Sequence, residues 1–407
     1  MEFTPTRAAG LAQLQAFLPH AGRRYADTRN HDDGGGRSNV SQLSPWLHAG
    51  LLKEHEVLEA VLGKHPGRTA DKFVSEVFWR VYFEGYLAQR PSIWRSYCQG
   101  RDRALEAVSA NAGLREAYEE ASLGRTGIEA FDHWARELVE TGYLHNHARM
   151  WFASIWIFTL KLDWTLGADF FLRHLIDGDA ASNTLSWRWV AGLHTKGKTY
   201  LARPGNIARY TANHPHGPLS AEGLVGDAPA LTEAEAHARQ TLALPPPADP
   251  RAFDAPYALI LHDHAASHVP LALGAPPALV IGAARPDARS PSPTGAKVRT
   301  FALAAVASGT QTLAAECGCA RAEWGPDVRL ADLLDRAGVS RLVVPFLPIG
   351  WTRDALWPQL APLADGGGLV ELLPPLQRAA WPYAGAGFFG VRKHIGNLLR
   401  EVGIAGA

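Results

Sequence analysis

The chain has 407 residues, enough for two or three domains of about 100–200 residues each. Forty Lys and Arg balance forty Asp and Glu, so no net charge draws the whole molecule to nucleic acid or an anionic membrane, although a local patch stays open. Cys98, Cys317 and Cys319 are too few for a disulfide framework, and Cys317-Gly-Cys319 has neither the spacer nor the partner pair of a zinc site. No metal is expected, and a reducing cytoplasmic setting fits.

From Leu11 to about Tyr210 the apolar spacing is helical almost throughout. "ADKFVSEVFWRVYFEGYLAQRP" (70–91) repeats at helical intervals until Pro91 stops it. "GIEAFDHWARELVETGYL" (127–144) sets Phe131, Trp134 and Leu138 on one face. "MWFASIWIFTL" (150–160) is the most apolar run, yet far short of the roughly 20 residues of a bilayer span, so it reads as a core helix. No secretory signal is visible at the start.

Residues 212–254 turn Pro-, Gly- and Ala-rich, with one helix-like stretch, "TEAEAHARQTLA", and read as a linker. From Tyr257 the pattern alternates. "YALILH", "ALVIGA", "RLVVPF" and "LVELL" look like buried strands, and "KVRTFALAAVASG" and "RLADLLDRAG" like helices between them. That alternation predicts a parallel sheet. "HDHAASHVP" follows the first strand in place of a Gly-rich dinucleotide turn. The expected fold is an all-helical domain (1–211), a linker (212–254) and a smaller α/β domain (255–407).

Within the helical half, Ser44 precedes Pro45 and an apolar run, which reads as an N-cap with a first-turn proline. It is either a plain capped helix or an anion site to which Ser41 adds a hydroxyl. Glu76 and Arg80 are an i,i+4 pair with Trp79 beside them. Asn146 and Met150 share a face next to Arg149, in a chain with only two methionines. "LIDGDAASNTLSWRWVAG" (175–192) gathers Asp177, Asp179, Asn183, Trp187 and Trp189. Acids in so apolar a setting need partners, because an unpaired buried charge is very costly.

Taken together these segments resemble the FAD-binding helical domain of the photolyase/cryptochrome family. "GRTGIEAFDHWARELVETGYLHNHARM", "LDWTLGADFFLRHLIDGDAASNTLSWRW" and "SQLSPWLHAG" follow its motifs in order over about residues 11–210. The resemblance implies a bound FAD. Tyr25, Ser41, Leu43, Ser44 and Arg80 would hold its phosphates and ribitol, Arg149 would pair with Asp177, Asp179 would lie near the rings, and Asn183 would face the flavin N5. It also implies a light-driven lyase that repairs cyclobutane pyrimidine dimers flipped out of UV-damaged DNA. Glu76, Trp79, Asn146, Met150 and Trp189 would line the lesion pocket, and Trp187 and Trp164 would carry electrons to the flavin. The alternative within the same family is a blue-light receptor.

This sequence departs from the family at several points. Val40 and Gln42 replace a phosphate-binding Thr and Arg. Asn111 stands near the place of the third electron-transfer tryptophan, which leaves Trp156 and Trp151 as other exits. After Trp189, Lys196, Lys198, Arg203 and Arg209 offer either DNA-phosphate contacts or a solvated basic loop. The α/β domain follows the flavin domain instead of preceding it. "YALILHDHAASHVPLAL" and "WPYAGAGFFGVRKHI" are similar to the opening and closing segments of the family's antenna domain, so the chain reads as a permuted member. No residue is assigned to an antenna chromophore.

Overall fold

A computed structural model describes residues 2–404 apart from Pro270 and Ala272. The segment likened to the antenna opening, 257–273, therefore includes two positions outside the described residues.

The first half is helical: α1 (Arg7–Phe17), α2 (Arg23–Thr28), α3 (Ser44–His48), α4 (Glu54–Lys64), α5 (Asp71–Ala88), α6 (Pro91–Ala110), α7 (Ala112–Leu123), α8 (Glu129–Thr141), α9 (Asn146–Ser154), α10 (Trp164–His174), α11 (Ala180–Val190) and α12 (Pro204–Tyr210). Local chemistry sets the key boundaries. On α8, Phe131, Trp134, Ala135 and Leu138 form the buried face, and Gly142 ends the helix with a left-handed φ of 74°. Asp179 caps α11 by accepting a hydrogen bond from Ser182 N at 2.7 Å. α11 packs against α5, α9 and α10, which places the 175–192 motif at the centre of the half. Its Trp187 reaches α10 because position 167 is glycine; a Cβ there would lie 2.3 Å from the indole.

The Ser44 cap is shifted by one position. Ser44 is the first helical residue, and Leu43 occupies the cap without a side-chain bond. The turn is held instead by Ser41, whose Oγ accepts from Leu43 N at 3.4 Å. Gln42 adopts a left-handed φ of 52°, held by its buried amide donating to Arg37 O at 2.8 Å.

The 212–254 segment is not a free linker, and "TEAEAHARQTLA" forms no helix. Its polar groups have better partners on the helical half than a solvated helix would provide. Glu233 takes two hydrogen bonds from Arg188 at 2.7 and 2.5 Å, His237 meets Ser92 at 2.9 Å, and Arg239 donates to Gln89 at 2.7 Å. The segment is a strap laid across α5, α6 and α11.

The second half runs β1 (Tyr257–His262), β2 (Leu279–Ala283), α13 (Ala296–Cys317), β3 (Ala320–Glu323), α14 (Leu330–Ala337), β4 (Arg341–Pro345), α15 (Trp351–Asp365) and β5 (Leu369–Leu372). It ends with α16 (Pro375–Ala380), α17 (Phe389–Arg392) and α18 (Ile395–Glu401). All four strand pairings are parallel, in the order β3-β2-β1-β4-β5. β1 and β2 are wholly buried, as strands covered on both faces must be. β3, "ARAE", has no apolar signature and is absent from the sequence reading; it is a short, largely exposed edge strand. The fold is thus an all-helical domain followed by a smaller parallel α/β domain.

Strand order reverses between β1 and β4, where open sheets of this kind form a crevice at the strands' C-terminal ends. Here the helical half fills it. Ala266 N donates to Ala49 O at 2.8 Å, and the rings of His264 and Trp351 lie 4.8 and 5.8 Å from that of His48.

Candidate flavin site

Two arginines organise the centre of the helical half. Arg149, on α9, donates to Asp177 at 2.8 Å and to Leu144 O at 3.0 Å. Arg80, on α5, meets Glu54 at 2.9 Å, Glu84 at 3.0 Å and Asp179 at 3.5 Å. The side chains of Asp177 and Asp179 are each 3% exposed, whereas those of Arg149 and Arg80 are 25% and 17% exposed. The acids are sealed and the arginine side chains are partly exposed. Burial pushes the Glu84 carboxyl up to about 8 against the pull of Arg80, with Glu54 and Asp179 adding to the rise.

Asn183 donates its amide N–H to Ala168 O at 2.8 Å, which fixes the side chain and leaves its carbonyl oxygen for another partner. Asp177 Oδ1 is buried without a hydrogen bond. An unsatisfied acceptor, a fixed amide and two partly exposed arginine side chains form a set suited to flavin ring N–H groups and a diphosphate. On that ground the residues fit FAD, with Arg80, Arg149, Asp177, Asp179 and Asn183 as the groups that would hold it.

The other sequence-derived positions are more scattered. Ser41, Leu43 and Ser44 form the entry to α3, as described above. Tyr25 is buried against Phe17 and Phe73, and burial, reinforced by Glu76, pushes its hydroxyl above the ordinary tyrosine range. Arg29 lies 5.7 Å over the Tyr25 ring and pairs with Glu76. The expected Glu76–Arg80 pair is therefore replaced. Glu76 turns to Arg29, while Arg80 turns to three acids that burial leaves in need of a cation.

Glu76 and Trp79 on α5, Met150 on α9 and Trp189 on α11 are partly exposed, and Asn146 is exposed. Trp79 stacks on Phe388 at 3.9 Å with 13° between the planes, and Trp189 stacks on Tyr200 at 5.4 Å. Lys196, Lys198, Arg203 and Arg209 are all exposed. Trp187 has Phe171 at 5.1 Å and Trp156 at 6.3 Å, whereas Trp164 packs on Tyr97 at 5.9 Å with Arg188 6.0 Å over its ring.

Three residues absent from the sequence reading connect this centre to the α/β half. His48 and His264 have ligand atoms within 4.8 Å of one another and of Asp179, all buried. Arg289, 1% exposed, donates to Leu172 O and Leu175 O at 3.1 and 2.8 Å and lies 3.1 Å from His48 Nε2. With Arg289 on His48 and Arg80 on Asp179, guanidiniums take the places a metal cation would need. The trio is a polar joint between the halves. Burial, then the neighbouring imidazole, holds both histidines well below the usual imidazole range and therefore neutral. "HDHAASH" carried a sequence signal for His264; nothing local signalled Arg289.

Residues 73–214 match the family described as the FAD binding domain of DNA photolyase. Over these residues the chain is similar to a photolyase-type FAD-binding domain. The deoxyribodipyrimidine photo-lyase of Streptomyces griseus is 36% identical over 188 residues, 46% of this chain and 39% of that protein. That of a Thermus thermophilus strain is 35% identical over 204 residues, 48% of this chain and 45% of its own length. Among solved structures, a class III photolyase from Agrobacterium tumefaciens is 27% identical, covering 50% of this chain and 42% of its own, with a TM-score of 0.42. A Synechocystis cryptochrome is likewise 27% identical over 52% of this chain and 44% of its own, also at 0.42. The chain thus spans about two fifths of the curated photolyases it matches. No helix among the described residues is long and apolar enough to cross a membrane.

Proposed function

We propose that this protein is a light-driven DNA repair enzyme of the photolyase type, acting on cyclobutane pyrimidine dimers in single- or double-stranded DNA. The exposure pattern carries the reading. Glu76, Trp79, Asn146, Met150 and Trp189 stay accessible on three helices that elsewhere bury the two acids. Bound reduced FAD, excited by light, would supply the electron that opens the dimer. The chain's own groups would receive the flipped-out bases, as enzymes that act on bases within a duplex must. Trp79 and Trp189 offer stacking faces and Asn146 an amide for base edges. Glu76 accepts from a base once it exchanges Arg29. Lys196, Lys198, Arg203 and Arg209 supply exposed positive charge for phosphates despite the neutral total.

The test uses the full chain with its flavin chemically reduced, illuminated with blue light on UV-damaged oligothymidine. Absorbance at the thymine maximum should recover only with both light and protein. No recovery, with photoactive flavin bound, rejects the repair reading.

A second reading, a blue-light receptor, is favoured by the Trp79–Phe388 stack, in which the C-terminal segment covers one face of the indole. Phe388→Ala separates the two: higher dimer repair in the variant marks a restrained repair enzyme. No repair in either protein favours the receptor, in which the α/β domain is an antenna-like unit in permuted order.

A further inference from the structure

We propose that the helical domain carries a transition-metal site, built from His133, His214, His216 and Glu137, that binds a divalent ion of the zinc or nickel class. His133 and Glu137 lie one turn apart on α8. His214 and His216 flank Pro215 in the turn after α12, which meets α8 across a solvent-open cavity of about 500 Å³.

Spacing is the first argument. The ring centroids of His133 and His214 lie 4.7 Å apart, those of His133 and His216 5.3 Å, and those of His214 and His216 5.4 Å. Three imidazoles around one ion, with metal–nitrogen bonds of about 2.1 Å and bond angles of about 90–110°, place their centroids about 4.5–5.2 Å apart. The ring centroids stand near coordination spacing, but among the described residues only the His48 joint has three ligand atoms within 4.8 Å of one another, so here the imidazoles must turn about their side-chain bonds to converge on an ion. His216 is exposed and free to do so. The one hydrogen bond inside the trio, from His216 N–H to His214 Nδ1, is long at 3.3 Å.

The fourth ligand is the second argument. Glu137 Oε1 accepts from Arg37 at 2.6 Å, while its Oε2 is buried without a hydrogen bond and lies 3.8 Å from His133 Nε2. A buried carboxylate oxygen without a partner is costly, and a cation satisfies it.

Charge is the third. Glu129, Glu137 and Glu140 line the cavity against Arg136 alone. Arg136 is engaged with Gly124 O at 2.6 Å, and Arg37 behind the wall is held by Asp32 at 2.8 Å as well as by Glu137. The cavity therefore favours a cation, unlike the joint at His48, where two guanidiniums flank the imidazoles.

The site is tested on the full chain, stripped with chelator and titrated with Zn²⁺ against a chromophoric competitor. Co²⁺ then reports coordination through its visible bands. One equivalent should bind, and His133→Ala, His214→Ala and His216→Gln should each weaken it at least tenfold. Because His216 is exposed, its variant keeps the native unfolding midpoint in the absence of metal, so loss of binding there is not loss of fold. Failure of the unmutated chain to bind stoichiometrically overturns the proposal. So does binding that survives all three changes, and a loss in His48→Ala would then place the ion at the domain joint.

Discussion

The two halves of the molecule handle buried charge differently. In the helical half each buried acid of the 175–192 motif has a cation from the same half: Arg149 for Asp177 and Arg80 for Asp179. In the α/β half the buried Arg289 takes all its recorded acceptors, Leu172 O, Leu175 O and His48, from the other domain. The helical half is electrostatically self-sufficient, whereas the sheet half is completed only by docking. Function built on the first can persist while the second diverges, provided the joint is kept.

The comparison breaks most severely at Arg289. Arg289→Ala strands two buried carbonyls and empties a packed site, so urea unfolding should lose about 3 kcal/mol, with the α/β half losing its near-UV signal first. An unchanged midpoint would mean that the halves dock without it. Asp177→Ala should leave the fold standing but weaken flavin retention about tenfold, read as the flavin-to-protein ratio after gel filtration. Full retention would remove Asp177 from the flavin set.

Glu84 sharpens the contrast through pH. Its folded carboxyl titrates near 8, above the ordinary value of 4.5, so the folded state holds the proton more tightly. Its contribution is fully present below about 4.5 and is lost as pH rises toward 8, at up to about 1.4 kcal/mol per pH unit. Glu84→Gln should flatten that fall in urea midpoints, and parallel curves for the two proteins would contradict the assignment. The smallest effect belongs to the electron path. Trp156→Phe should slow light reduction of the flavin severalfold more than Trp164→Phe does, followed by flavin absorbance, because Trp156 is the indole in ring contact with Trp187. The reverse order would restore Trp164 to the path.

The helical half was legible because its chemistry is local. Asp177, Asp179 and Asn183 fall within seven residues, and the apolar period of α8 is unbroken. The sequence misled where a distant partner outbids a near one. Arg29 takes Glu76 from Arg80 across 47 positions, and Gln89, Ser92 and Arg188 keep "TEAEAHARQTLA" from closing into a helix. β3 left no trace because an exposed edge strand needs no apolar residues. Phe388 and Arg289 are single residues whose importance lies wholly in what they dock against.

The strap and the C-terminal segment also bear on synthesis. A ribosome completes α5 some three hundred residues before Gln377, Trp381 and Phe388, which later cover Glu54, Gly85 and Trp79. Domains generally fold as units, the N-terminal one first. The nascent flavin domain must therefore remain soluble with that flank of α5 open, and the charged residues Glu54, Arg80 and Glu84 can stay hydrated there. A stretch synthesised long after α5 is the one that closes it.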